Sequence, residues 1–242
     1  MMSAPFLTVD HVTRRFGGLV AMKDVTFEVA KGELVSIIGP NGAGKTTLFN
    51  LLAGQLQPSA GKVWFDGQDI SGLPPQRRAK LGFGRTFQIS QTLTSLSVLE
   101  NAMIGAFLRH RHVGAAAEHA YAALEMVGLA RRADASAATL TLSERRRLEV
   151  ARALALEPSL VLLDEVMAGL NPTEIREITD LVQMLNARGY TFLVIEHNLK
   201  VVRLFAKRVI VLDHGAKLAE GTAEDVLANP VVLAAYIGRR RA

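Results

Sequence analysis

Gly39-Pro40-Asn41-Gly42-Ala43-Gly44-Lys45-Thr46 matches the phosphate-cradling pattern GxxxxGK[ST] at every fixed position. The apolar run Leu34-Val35-Ser36-Ile37-Ile38 precedes it. The segment Thr46 to Ala53 follows and reads as a helix that stops at Gly54. Strand, glycine loop and helix are the context this pattern requires. Glycines let backbone N–H groups close around phosphate oxygens, and the helix N-terminus adds partial positive charge. Lys45 is placed to reach the β- and γ-phosphates, and the Thr46 hydroxyl to serve a Mg²⁺ ion. A nucleotide phosphate is therefore the expected ligand of this loop.

Working outward, the chain of 242 residues carries 49% hydrophobic residues, a net charge of +5 and no cysteine. That length buries a sizeable core. Disulfides, zinc-thiolate sites and cysteine nucleophiles are excluded. The N-terminal Met1-Met2-Ser3-Ala4-Pro5 has no secretory pattern, and no apolar run approaches the ~18 residues of a membrane span. Basic clusters at Arg131-Arg132, Arg145-Arg146-Arg147 and Arg239-Arg240-Arg241 lack interleaved aromatics. They read as solvated helix faces and a frayed tail, so nucleic acid is not expected as a partner.

Strand patterns occupy Phe6–Val12, Asp24–Val29 and Lys62–Phe65, the last closed by the hairpin signal Asp66-Gly67. Pro74-Pro75 opens a short basic helix, and Leu81–Phe87 is strand-like, ending at Gln88. From the capping box Ser97-Val98-Leu99-Glu100 to Arg131 the chain is Ala-rich and helical, interrupted near Val113-Gly114. A further helix ends near Leu156. The expected class is α/β, a phosphate-loop core with an N-terminal antiparallel β part and an inserted helical part. The expected division is a single domain, 1–242, with the core at about 1–90 and 157–242 and the helical part at about 91–156.

Leu160-Val161-Leu162-Leu163-Asp164-Glu165 is the second chemical signal. A strand buried on both faces delivers two carboxylates at its C-terminal end, where α/β sheets place ligands. Asp164 is the candidate Mg²⁺ holder, and Glu165 the residue that positions and activates the attacking water. The bland alternative is a carboxylate pair that caps the next element. Gln88 could serve Mg²⁺-bound water, and His197, after the strand Thr191–Ile195, could reach a γ-phosphate. Asn171-Pro172-Thr173-Glu174 is a helix start. His110 and His112 lie in a basic, helical stretch with no carboxylate near in sequence, and read as solvated side chains, not metal ligands.

These residues together resemble the nucleotide-binding subunit of ATP-binding-cassette (ABC) transporters, over Leu7 to Gly238. Arg15-Phe16-Gly17-Gly18-Leu19-Val20-Ala21, Arg85-Thr86-Phe87-Gln88 and Asp164 to Glu174 resemble the subfamily that powers branched-chain amino acid uptake. The resemblance implies ATP and Mg²⁺ as cofactors. It implies nucleotide binding by Phe16, which would stack on adenine, and by Gly39, Pro40, Asn41, Gly42, Ala43, Gly44, Lys45, Thr46 and Thr47. It implies catalysis by Glu165, His197, Lys45 and Gln88, and Mg²⁺ at Thr46, Gln88 and Asp164. The signature segment, usually Leu-Ser-Gly-Gly-Gln, aligns with Leu140-Thr141-Leu142-Ser143-Glu144. There Thr141, Leu142, Ser143 and Glu144 would face a partner's ATP. Thr141-x-x-Glu144 keeps the capping spacing. Leu142 replaces a glycine and Glu144 brings negative charge. A second departure is Asn171, where the loop usually has Asp.

The implied partners are a second ATP-binding subunit (a copy or a relative), membrane permeases contacted through Leu93–Leu99 and, indirectly, a solute-binding protein. The implied location is the cytoplasmic face of the bacterial inner membrane. The solute is not written in this chain: amides, urea and aromatic acids stay open beside amino acids. A lipid or lipopolysaccharide exporter subunit and a nucleic-acid-acting ABC ATPase are the alternatives. A GTPase switch is disfavoured by the missing Asn-Lys-x-Asp segment.

Overall fold

The computed structural model describes residues 5–86 and 92–237. The chain divides into two compact units: residues up to Arg78 with those from Asn186 onward, and Ala79–Leu185.

The first unit holds two sheets. β1 (Leu7–Phe16), β2 (Leu19–Val29), β4 (Ala60–Phe65) and β5 (Gln68–Asp69) form an antiparallel sheet in the order β2-β1-β4-β5. β1 and β2 extend well beyond the alternating segments read from sequence, because each is held by its partner's backbone and not by its own pattern. Asp66 and Gly67 both take left-handed φ values of 47° and 77°, so Phe65 meets Gln68 across a two-residue hairpin.

The second sheet has β3 (Leu34–Ile38) parallel to both β8 (Thr191–Ile195) and β9 (Arg208–Asp213), with β10 (Ala216–Thr222) antiparallel to β9. Every residue of β3 and β8 is buried, as their mainly apolar sequences favour, with Ser36 and Thr191 the buried polar members. α1 (Lys45–Leu52) follows β3. The short helices α7 (Leu199–Phe205), α8 (Ala223–Ala228) and α9 (Pro230–Ile237) pack Val202, Val226, Leu227 and Val232 with Ile38, Val209 and Val211. The sequence reading omitted α7. Its seven residues are too few for a clear period, and Asn198, which caps Lys200 N–H, is its one local signal.

Arg78 lies in α2 (Pro75–Leu81), the short basic helix expected after Pro74-Pro75, and its side chain is fully buried. Its guanidinium donates to the carbonyls of Leu51 and Leu52 at 2.6 and 2.7 Å, Leu73 at 3.0 Å and Ser71 at 3.1 Å. It thus caps the C-terminus of α1, whose last carbonyls have no helical partner. Burial pulls its pKa down to about 10, which leaves it charged at neutral pH. Arg78→Met is expected to cost on the order of 3 kcal/mol in urea unfolding, since several buried carbonyls lose their donor. Arg78→Lys restores only part, because an ammonium has three donors and no planar fork.

The second unit contains β6 (Phe83–Arg85) parallel to β7 (Leu160–Asp164), and the helices α3 (Val98–Ala106), α4 (Val113–Met126), α5 (Leu142–Leu154) and α6 (Pro172–Ala187, running just past the boundary). α3 begins with the expected reciprocal capping box of Ser97 and Glu100. The interruption falls at 107–112, one step before the expected Val113-Gly114, which lies in the first turn of α4. α3 and α5 cross closely. A Cβ at Gly105 would collide with the Arg152 carbonyl oxygen, and buried Ala102, Ala106, Ala116, Ala120 and Ala123 keep the helices near one another.

The arginine run of α5 is not a solvated face. Arg146 is 7% exposed and pairs with buried Glu149 at 3.2 Å. Arg147 pairs with Glu177 at 2.5 Å, and Arg145 donates to the Leu140 and Ala138 carbonyls. Arg145 and Arg147 thus hold neighbouring segments, while Arg146 pairs within α5 itself.

His110 is also not simply solvated. Glu157, just after α5, lies 2.6 Å from its Nε2. The carboxyl of Glu157 is held below its ordinary range, chiefly by that hydrogen bond. Among the described residues no helix is long and apolar enough to cross a membrane.

Candidate functional site

Gly39 leaves β3 where a Cβ would strike the Leu212 carbonyl oxygen, so only glycine lets the chain pass. Gly42 and Gly44 then take φ of 79° and 101°. A Cβ at Gly44 would sit 2.9 Å from the Ala21 carbonyl oxygen. Ala43 N–H donates to Pro40 O at 3.1 Å, and its carbonyl accepts from Gly215 N–H at 3.0 Å. The β9–β10 turn thereby braces the loop. α1 starts at Gly44 with no side-chain cap and no acidic residue in its first turn. That terminus suits an anion, through oriented N–H groups and the helix dipole.

Lys45 is 7% exposed, and its Nζ donates to Gly39 O at 2.6 Å and Pro40 O at 3.1 Å. These carbonyls aim the ammonium along the loop. Thr46 and Asn41 are exposed, and Thr47 is half-buried.

Two other residues singled out from sequence lie in the same unit. Ile37 pairs with Ile195 in register, so Gly39 and His197 each emerge two residues beyond paired positions of parallel neighbours. His197 is exposed at that sheet end. Phe16 ends β1, 43% exposed, with the Arg14 guanidinium 4.6 Å from its ring centroid. Sequence reading gave Tyr236 no role. Its hydroxyl, on α9, is buried facing the Gly39 backbone, and burial pushes the phenol up from its ordinary value.

The second unit carries the carboxylates. Asp164, 2% exposed, closes β7, and its N–H donates to Thr86 Oγ1 at 3.1 Å. Arg85 on β6 reaches Asp164 Oδ2 at 3.3 Å. Burial lowers the Arg85 pKa while the Asp164 charge opposes that shift. The sequence offers Arg85 as part of a strand-like stretch and of the Arg85-Thr86-Phe87-Gln88 resemblance, but not this pairing. Glu165 takes a left-handed φ of 49°, a conformation non-glycine residues avoid and functional sites often hold.

Thr141 caps α5, its Oγ1 accepting from Glu144 N–H at 3.2 Å while Glu144 Oε2 accepts from Thr141 N–H at 2.9 Å. Arg132 lies 3.5 Å from the other carboxylate oxygen of Glu144. The negative charge brought by Glu144 is therefore turned to the helix cap. Ser143 is buried, and Leu142 is 42% exposed beside Gly169, in the loop after Glu165. Asn171 Oδ1 accepts from Thr173 and Glu174 N–H groups, the expected helix start. Gln88 lies outside the described residues.

A glycine loop between a parallel strand and a helix, with its lysine aimed along it, defines a phosphate-loop nucleotide-binding protein of the α/β class. Residues 22–168 match the ABC transporter family, and residues 216–242 match the family described as branched-chain amino acid ATP-binding cassette transporter. The chain is 40% identical to the high-affinity branched-chain amino acid transport ATP-binding protein BraF of Pseudomonas aeruginosa, over 98% of this chain and 99% of BraF. It resembles the solved ADP conformation of MJ1267, an ATP-binding cassette of an ABC transporter, at 33% identity. The TM-score is 0.90, with 98% of this chain and 100% of that one covered. A dimeric post-hydrolysis structure of the ATP-binding cassette MJ0796 with ADP and Pi matches at 28% identity and a TM-score of 0.79, covering 90% and 98%.

The chain belongs to the ABC transporter family of ATP-binding cassettes, in its branched-chain amino acid branch. It is an ABC ATPase with the cassette fold expected from its sequence.

Proposed function

We propose that this chain is the ATP-hydrolysing subunit of an importer of branched-chain or related amino acids. One observation carries the reading: the relatives of that name align with it end to end, through the C-terminal segment as well as the cassette. On this reading the whole chain acts as one domain, with a core at about 1–90 and 157–242 and a helical part at about 91–156. It works at the cytoplasmic face of a bacterial inner membrane, with permeases and a solute-binding protein.

ATP would lie with adenine on Phe16 and its phosphates along Gly39 to Thr47. Lys45 would neutralise the outer phosphates. Glu165 would accept a proton from the attacking water, and His197 would hold the γ-phosphate, with Gln88 completing the site. Hard oxygen donors suit Mg²⁺, and Asp164 and Thr46 supply them at a strand end and a helix start. Arg85 occupies one side of the Asp164 carboxylate and leaves the group oriented. The ion, held by Thr46, Asp164 and Gln88, would offset charge on the transferred phosphoryl group.

The site is completed by a second cassette, whose signature segment would meet this ATP, while Thr141 to Glu144 here meet the partner's. ATP would favour the closed dimer because that state alone completes its contacts. The Leu93–Leu99 segment is the expected permease contact; buried Asn101 fastens it, bonding Leu93 N–H and carbonyl at 2.9 Å each.

Uptake of radiolabelled leucine by cells lacking the gene is expected to fall and to recover on complementation. Unchanged leucine, isoleucine and valine uptake would overturn the substrate reading. Where the partner is a different subunit, Glu165→Gln is expected to remove more turnover than the matching change in the partner. That difference is expected because Leu140 to Glu144, with Leu142 and Glu144 departing from the usual signature, would make the partner's ATP site the slower one; equal losses would overturn it.

A further inference from the structure

His110, His119 and Glu157, none of them among the residues assigned to ATP, converge on one point. His110 follows α3, His119 lies within α4, and Glu157 follows α5. Glu157 Oε1 is 2.6 Å from His110 Nε2 and 2.8 Å from His119 Nδ1. The two imidazole rings stack with centroids 3.7 Å apart and planes 9° from parallel. The ligand atoms all lie within 4.8 Å of one another, the one such group of three among the described residues. We propose that His110, His119 and Glu157 form a binding site for a borderline divalent transition-metal ion of the Zn²⁺ type, which ties α4 to the segments after α3 and α5.

The donor set selects the ion. Two imidazoles and one carboxylate are ligands of Zn²⁺, and the same set recurs where zinc keeps a fourth position for water. Mg²⁺ and Ca²⁺ prefer oxygen alone, so this site is chemically distinct from a nucleotide-bound Mg²⁺. The adjustment needed is small. With metal–ligand bonds of about 2.0–2.2 Å, tetrahedral donors stand about 3.3 Å apart, so Glu157 Oε1 must draw back from each of the two nitrogens by roughly half an ångström or slightly more. The rings must also open from parallel, so that each lone pair points at the ion.

Side-chain exposures of 23% for His110, 40% for His119 and 44% for Glu157 leave room for those rotations. The Glu157 backbone is fixed, its N–H bonded to Leu154 O at 2.7 Å and Pro158 following. Each ring must present a lone pair at the nitrogen now facing Oε1. The ring proton moves to the other nitrogen through water, so a neutral imidazole needs no net proton loss. Arg109, adjacent in sequence, opposes a cation, which is why imidazole nitrogen ligation and not charge alone must carry the binding.

The test uses untagged, nucleotide-free protein. Titration calorimetry with Zn²⁺ is expected to give one saturable equivalent, and Co²⁺ to give the visible absorption of a low-symmetry, near-tetrahedral site. Excess Mg²⁺ is expected not to compete. His110→Ala, His119→Ala and Glu157→Gln are each expected to weaken binding by about 10–100-fold, while His112→Ala leaves it intact. Excess Zn²⁺ raises the melting temperature of the wild type and not of His119→Ala. Unaltered metal-free melting of the variants shows that the fold is kept, and His119→Gln replaces any variant that melts early. No saturable Zn²⁺ binding, or unchanged affinity in the His110→Ala/His119→Ala pair, would overturn the proposal.

Discussion

Glu165→Gln is expected to lower steady-state ATP turnover by about 10²–10⁴-fold, the usual contribution of a positioned general base, while nucleotide affinity stays within a few-fold. The substitution keeps shape and removes only the charge that draws a proton from water. kcat therefore falls and the dissociation constant does not, the signature of an interaction made in the transition state. The backbone offers a second handle. Glu165 holds φ at 49°, so Glu165→Gly relieves a conformation that costs a side-chain-bearing residue about 1 kcal/mol or more. That variant is expected to melt higher than wild type while being equally inactive. Single-turnover hydrolysis, equilibrium nucleotide binding and thermal melting separate the two effects. Turnover within ten-fold of wild type in Glu165→Gln would remove Glu165 from the chemistry.

Lys45→Ala is expected to weaken ATP binding by about 10–100-fold. A hydrogen bond to a charged group contributes roughly 1.5–3 kcal/mol, and each 1.4 kcal/mol is ten-fold in affinity. Here the ammonium also bonds the Gly39 and Pro40 carbonyls, so its loss loosens the loop as well as its charge. Lys45→Arg is not expected to rescue. A planar guanidinium is wider than an ammonium, and Lys45 is 7% exposed in a loop whose glycines leave no slack. Fluorescent-nucleotide titration reads the affinity, and urea unfolding checks that stability is otherwise kept. Equal nucleotide affinity in wild type and Lys45→Ala would show that the loop binds phosphate by its backbone alone.

Much of the architecture was written locally. The glycine loop, the Ser97-x-x-Glu100 and Thr141-x-x-Glu144 caps, the Asn171 helix start and the strands Leu34–Ile38, Leu160–Asp164 and Thr191–Ile195 all appear where the sequence placed them. Each depends on residues within a few positions of one another, or on an apolar run long enough to be a buried strand. The misplaced features depend on partners far away in sequence. β6 is three residues long, because its pairing with β7 and not its own propensity decides where it ends. The arginines of α2 and α5 look like surface charge until their carbonyl and carboxylate partners are seen.

Gly39 to Thr46 and Asp164-Glu165 stand out as candidates in the sequence alone, since close phosphate contact and a buried strand ending in carboxylates are local demands on residue type. The family follows from those motifs and their order. Only the tertiary structure decided that Arg85 holds Asp164, that Glu144 faces its own helix cap and Arg132, and that Arg78 closes α1. Only it brought Glu157 to two histidines 38 and 47 positions away, as counted along the sequence. A pattern records what one segment prefers. An ion pair or a ligand cluster exists only where folding has already spent backbone entropy to bring distant segments together.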